Sequence, residues 1–220
     1  MTKTSPAYIL GFMILVCTVF GTAISSVHYV TLDTLKKNEK LHRNRIICRA
    51  FHLPVTGMSA DAFQRAIDSN LIHEQIDYGG RTWDVYLEKN TGNIGFVFTG
   101  TGFWDLIMGI VVLSPDLSKI MNIQFLDQKE TPGLGARIEE GWFTAQFKGI
   151  PIAWEQPVDK RIIIGTAPDP EAKNRVDAIT GATQTSLALM RFLNSELELF
   201  RNAMKEQKEK TIFEIPSQWE

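Results

Sequence analysis

Two short segments of this 220-residue chain carry residue types that could do chemistry. The first is Glu130-Thr131-Pro132-Gly133-Leu134-Gly135. One proline and two glycines fix a tight, exposed loop whose backbone can approach a ligand closely. Leu134 lies at the tip, where an apolar side chain gains little unless something flat and apolar covers it. The alternative is an ordinary turn. The second segment is Asp177-Ala178-Ile179-Thr180-Gly181-Ala182-Thr183-Gln184-Thr185-Ser186. Hydroxyls and small residues directly before a helical pattern leave backbone N–H groups free at the positive end of a helix, which suits a phosphate. The alternative is a run of N-cap candidates, since Thr and Ser are favoured there in any case. The residues alone leave both pairs of alternatives open.

The elements that must position these segments follow from periodicity. Thr185 to Lys205 carries Leu187, Met190, Leu193, Leu197 and Phe200 at helical spacing. Upstream, Thr82 to Lys89 alternates Trp83, Val85 and Leu87 as a strand does, after the turn-like Tyr78-Gly79-Gly80-Arg81. Ile94–Phe98, Leu106–Leu113, Ile120–Leu126 and the short Ile162–Ile164 are further apolar runs, with turns at Asn90–Asn93 and Ser114-Pro115-Asp116. Ser59 to Asn70 predicts a short helix, with Ser59 as N-cap and Phe63, Ala66 and Ile67 on one face. Strands followed by a closing helix predict an α+β domain over 51–220, with a mixed or antiparallel sheet and flanking helices.

The N-terminus has a different character. Tyr8 to Ile24 is a run of 17 residues without charge, extended by Ser25, Ser26 and Val27. Roughly 20 helical residues cross a hydrocarbon core. The run is long for the apolar part of a cleaved signal peptide, and Lys3 alone would have to serve as the basic region. Residues 1–30 therefore predict a retained transmembrane anchor, and 31–50 a stalk helix broken at Pro54 and Gly57. Lys36, Lys37, Lys40, Arg43 and Arg45 follow the span, and the positive-inside tendency would hold the body in the cytoplasm.

Composition narrows the function classes. Hydrophobic residues make up 44% and charged residues 22%, enough apolar material for a core. A net charge of −2 gives no basic field for nucleic acid. Two cysteines without a CxxC spacing argue against a disulfide framework, a zinc knuckle or a self-ligated iron–sulfur cluster. His28, His42, His52 and His73 all precede the strand-rich region, with no HExxH or triad-like setting. No catalytic acid, base or nucleophile and no metal site is expected.

The run Asp-x-x-Thr-Gly-Ala-Thr at Asp177–Thr183 resembles the flavinylation motif read by the periplasmic flavin transferase, and Glu130–Gly135 resembles its usual companion. Both occur in this order, roughly 50 residues apart and after an N-terminal span, in NqrC, the FMN-carrying member of the Na⁺-translocating NADH:quinone oxidoreductase (Nqr). They occur likewise in the corresponding flavoprotein of the related Rnf complex. The resemblance covers nearly the whole chain. It implies FMN joined through its phosphate to the Thr183 hydroxyl, with Asp177, Thr180, Gly181 and Ala182 read by the transferase. Thr185 is a rival hydroxyl outside the motif. Glu130, Thr131, Gly133, Leu134 and Gly135 are implied to line the isoalloxazine side. Gly102-Phe103-Trp104 resembles a Gly-Leu-Trp of NqrC, which puts Trp104 near the ring and leans toward the quinone reductase; core packing of Trp104 is the alternative.

The same resemblance implies a flavoprotein subunit of an ion-translocating NADH:quinone or ferredoxin:NAD oxidoreductase, working by single-electron relay. Its partners would be the other membrane subunits, the flavin transferase and membrane lipid. Its place would be the bacterial inner membrane, single-pass, with the domain on the periplasmic face, against the charge tendency. A long domain can translocate despite its flanking charges. A stand-alone membrane-anchored flavinylated carrier is the redox alternative. A module holding a phosphate ligand reversibly is the non-redox one.

Overall fold

A computed structural model of the chain describes residues 5–166 and 171–209. The chain divides into two compact units, Met1–His42 and Arg43–Glu220. Helix α1, Pro6–Ala50, runs through the first unit and ends in the second. An 18-residue window of it has a mean hydropathy of 2.2, and the helix is long and apolar enough to cross a membrane. Thr18, Ser26 and Thr31 each donate a 2.8 Å hydrogen bond to the carbonyl four residues earlier. Their hydroxyls are thereby satisfied within the helix, which an apolar surrounding requires.

In the second unit the last turns of α1 are buried through Asn44, Ile46, Ile47, Cys48 and Ala50. The helix stops because His52 takes φ 53° while its N–H bonds Arg49 O at 3.2 Å and the Leu53 N–H bonds Cys48 O at 2.9 Å. That is the Schellman pattern, with His in the place glycine usually fills. Burial pushes the Cys48 thiol up to about 11, so it behaves as an inert core residue. Helix α2, Ala60–Asn70, starts where Ser59 Oγ accepts from Ala62 N at 3.2 Å, and it buries Phe63, Ala66 and Ile67.

Six strands follow as an antiparallel meander in chain order: β1 Leu71–Tyr78, β2 Arg81–Glu88, β3 Ile94–Thr101, β4 Leu106–Leu113, β5 Lys119–Asp127 and β6 Ile150–Pro151. A four-residue helix α3, Gly141–Thr144, lies between β5 and β6. Strands β7 Ile163–Ile164 and β8 Arg175–Val176 form a separate parallel pair, and helix α4, Thr183–Glu209, closes the chain. This is the expected α+β class. Helix α4 lies on one face of the sheet, where Phe200 stacks on Phe96 with centroids 4.0 Å apart and meets Trp83 edge-on at 6.4 Å. A Cβ at Gly100 would stand 2.2 Å from the Phe192 ring, so β3 carries glycine where α4 presses closest.

Two expectations need correction. Helix α4 begins at Thr183 rather than Thr185. Its core-facing residues are Leu189, Leu193, Leu197, Phe200 and Met204, while Leu187 and Met190 are only half-buried. Strand β1 was not anticipated. It exposes His73, Glu74 and Gln75 in a row, which erases the alternation that marks a strand.

Candidate functional site

Strand β8 leads into the hydroxyl-rich segment. Val176, Ile179 and Ala182 are buried at 0, 1 and 6% exposure, while Asp177, Thr180, Gly181 and Thr183 are exposed. Every third residue thus hangs the segment from the core, and the intervening residues face solvent. Gly181 takes φ 80°, a left-handed value that a Cβ would strain. The turn is locked by Ala182 N on Ile179 O at 3.0 Å and by Ser186 Oγ, which accepts from Ile179 N at 3.2 Å. Asp177 bonds Arg175 at 2.9 Å, and its N–H bonds Gln146 Oε1 at 2.8 Å. Nothing in the sequence marked Gln146.

The two threonines of the first turn of α4 differ sharply. Thr185 is 3% exposed, and its hydroxyl donates to Glu130 Oε2 at 2.6 Å. Thr183 is exposed, and among the described residues its hydroxyl makes no hydrogen bond. Among those residues, too, no group accepts from the backbone N–H of Thr183, Gln184 or Thr185. The helix start therefore offers one free hydroxyl beside three free N–H donors.

The companion loop packs against this turn. Its carbonyl at Thr131 accepts from Leu134 N at 3.1 Å and Ala136 N at 3.2 Å, and Gly133 takes φ 75° at the bend. Leu134 is 43% exposed, and its Cδ2 lies 3.1 Å from where a Cβ on Gly181 would be. Glu130 is not at the surface. It is 4% exposed, and its Oε1 accepts from the backbone N–H of Phe103 at 2.8 Å and of Trp104 at 3.0 Å. The Trp104 indole N–H bonds Thr131 Oγ1 at 3.0 Å. The turn that carries Trp104 is itself closed by Gly102 N on Asp105 O at 2.8 Å. The Leu106 N–H, and then Lys129 at 3.2 Å, hold the Asp105 carboxyl below its usual range.

These segments enclose a cleft of about 350 Å³ bounded by Trp104, Leu134, Gly181, Thr183 and Gln184 among others. A second cleft of about 460 Å³ meets Thr183 from the side of β7. Of the eleven residues singled out from the sequence, eight line these clefts, while Gly133, Asp177 and Thr180 line neither. Burial distinguishes three of the eight. Trp104 is 68% exposed, which removes the core-packing alternative. Glu130 braces the cleft from within. Ala182 is buried in the core where it also borders the cleft. Phe103 and Gln184 also border the cleft.

Comparison with known proteins agrees with this geometry. Residues 102–198 match the family described as FMN-binding domain. The chain is 36% identical over 107 residues to NqrC of the Na(+)-translocating NADH-quinone reductase of Pasteurella multocida, covering 47% of this chain and 41% of that one. Against its counterpart in Vibrio campbellii it is 36% identical over 106 residues, covering 46% and 40%. The matched stretch thus spans about two fifths of these curated relatives. Among solved structures, NqrC from Parabacteroides distasonis superposes with a TM-score of 0.63 at 22% identity, covering 78% of this chain and 95% of that one. Shewanella oneidensis NqrC gives 0.64 at 18%, covering 78% and 99%. Residues 102–198 thus match an FMN-binding domain, 106–107 residues of the chain are similar to NqrC of two bacteria, and the fold is that of the two solved NqrC structures.

Proposed function

We propose that Thr183 carries FMN through a phosphoester and that the chain relays electrons as the flavoprotein subunit of a membrane ion-translocating quinone reductase. The observation that carries this is the contrast between the two hydroxyls: Thr183 is exposed and uncommitted, Thr185 buried on Glu130. Formation of the ester joins Thr183 Oγ1 to the flavin phosphorus and breaks a phosphoanhydride bond in an activated flavin donor. The leaving group departs with the bridging oxygen, and the hydroxyl proton passes to solvent. The residues present fit the group. Free N–H donors at the start of α4 suit the phosphate oxygens. Gly181 keeps the approach to Thr183 open, and exposed Leu134 and Trp104 offer apolar surface to a planar ring. The flavin would supply the redox chemistry, and the fold holds it and tunes it.

The rest of the reading follows the relatives. Residues 1–30 form the membrane anchor, 31–50 the stalk and 51–220 the FMN-binding domain. The chain assembles with other membrane subunits of an Nqr-type complex, an Rnf-type complex being the related option. Its domain lies on the periplasmic face of the inner membrane, where a flavin transferase meets Thr183. Protease reaching a C-terminal tag in intact spheroplasts tests that side; a tag reached only after lysis places the domain inside.

Attachment is tested by co-expressing the full chain with a flavin transferase. Thr183→Val is expected to abolish the fluorescent flavin band in a denaturing gel, while Thr185→Val keeps a band, weakened by loss of the hydrogen bond to Glu130, with the adduct still at Thr183. Adduct on the Thr183→Val protein refutes the assignment. Absence of any covalent flavin from the parent chain would favour the reversible phosphate-binding alternative.

A further inference from the structure

The Glu130 side chain does something that lining a ring does not require. It is buried, yet its two oxygens accept from three donors on two other segments: Phe103 N at 2.8 Å, Trp104 N at 3.0 Å and the Thr185 hydroxyl at 2.6 Å. Two glycines make room for it. A Cβ on Gly102 would stand 2.5 Å from Glu130 Oε1, and a Cβ on Gly135 would stand 2.8 Å from Oε2. Gly135 also covers Thr185, since the same Cβ would come within 2.5 Å of its Oγ1. Carboxylate, glycines and Thr185 are one packed unit, and a Cβ on either glycine would collide with the carboxylate.

We propose that Glu130 is the positioning residue that selects the acceptor hydroxyl: it holds Thr185 in a buried hydrogen bond under Gly135, sets the rotation of the first turn of α4, and so presents Thr183 as the reactive alcohol. Residues 183 and 185 lie two apart, which on a helix is about 200° of rotation, so one hydroxyl facing inward sends the other outward. A buried Thr hydroxyl left without its acceptor is unfavourable, which favours this rotation over its neighbours. The same carboxylate fixes the Phe103–Trp104 turn at the rim of the cleft, so one side chain sets both the attachment point and the wall beside it. The inference rests on Thr183 being the acceptor. Its chemistry is the transfer written above, with the activated flavin donor as co-reactant.

The test compares Glu130→Gln, Glu130→Asp and Glu130→Ala in the full chain co-expressed with the transferase. In-gel flavin fluorescence measures loading, and peptide mass mapping locates the adduct. Glutamine keeps an oxygen for the two backbone N–H groups and an amide for Thr185, so loading at Thr183 should stay within about threefold of the parent. Aspartate is one methylene shorter and cannot reach all three donors, and loading should fall at least about fivefold. With alanine the loss should exceed about tenfold. In a Thr183→Val background, adduct should be absent with Glu130 in place and appear at Thr185 with Glu130→Ala or Glu130→Asp. Trp104 emission in unloaded protein, isolated by subtracting a Trp104→Phe control, should shift with alanine and not with glutamine. Should alanine fail to melt cooperatively, aspartate carries the comparison. Parental loading of folded Glu130→Asp overturns the proposal, as does strong loss with Glu130→Gln. If the parent chain itself bears no adduct at Thr183, the functional reading fails instead.

Discussion

Gly135→Ala is the sharpest single perturbation of this site. The added Cβ would stand 2.5 Å from Thr185 Oγ1, 2.8 Å from Glu130 Oε2 and 2.9 Å from Glu130 Cβ. None of these atoms is a free chain end. Thr185 is β-branched and buried on α4, and the Glu130 carboxylate is held by two backbone N–H groups. Something must move, either the loop away from α4 or the Glu130–Thr185 bond apart. Overpacking costs about 1–3 kcal/mol. Losing a hydrogen bond to a charged group costs roughly 1.5–3 kcal/mol. The two overlap, because a loop shift that relieves the first gives up part of the second, so about 2–4 kcal/mol is expected. Two other glycines serve as controls. Gly133 has open space around its Cβ direction but φ 75°, so alanine there should cost about 1–2 kcal/mol. Gly141 starts α3 with open space and no positive φ, so alanine should be neutral or slightly stabilising. Urea unfolding of the full chain in detergent, followed by tryptophan fluorescence, gives the ranking. If Gly135→Ala is no worse than Gly141→Ala, the packed unit of Glu130, Gly135 and Thr185 is wrong.

Leu134→Ala removes a half-exposed contact on Gly181, so stability should change by less than about 1 kcal/mol while Thr183 still loads. Visible absorption and midpoint potential should both move, and if neither does, Leu134 is remote from the flavin. At the β4–β5 turn, hydrogen bonds from Ser114 and then Ser118 lower the Asp116 carboxyl to about 2 from 3.8. A carboxyl depressed in the fold stabilises it above the unfolded value and loses that stabilisation as pH falls through the folded one. Asp116→Asn should therefore destabilise at neutral pH and converge with the parent between about pH 4 and 2, as read from thermal melts; a constant gap across that window would contradict it.

What the sequence shows and hides follows from how far each interaction reaches. Strand β2 was legible from its alternation and β3 to β5 from their apolar runs, and the Ser59 cap because its partner, Ala62, is three residues away. Strand β1 was hidden, since the four residues from Ile72 to Gln75 are all exposed and only Leu71 and Ile76 are buried. The start of α4 was placed two residues late because Thr183 and Gln184 carry no apolar signal. Both halves of the site were visible as motifs, yet their connection was not. The hydroxyl that meets Glu130 is 55 residues away, and a carboxylate beside Pro132 and Gly133 has the local look of an exposed loop. Gly102 and Gly135 have meaning only once that carboxylate lies between them.

The proposed electron relay would make two opposing demands, a fixed position for the carrier and an open edge for partners, and this fold assigns them to different elements. The proposed attachment point belongs to α4, a helix tied to the rest of the second unit by several side-chain bonds. Glu196 on it accepts from the Trp83 indole at 3.0 Å, Asn194 bonds both the N–H and the carbonyl of Ile162 at 2.9 and 2.8 Å, and Glu198 pairs with Arg161. Thr183 is the first residue of that helix. The rim is built from turns and is the part left uncovered, with Phe103 at 53%, Trp104 at 68% and Leu106 at 55% exposure. Glu130 joins the two, being the buried group that touches the helix through Thr185 and the rim through the Phe103 and Trp104 amides. Substitutions in the rim side chains should therefore alter what approaches the site, and substitutions in the Glu130 unit should alter where the site is.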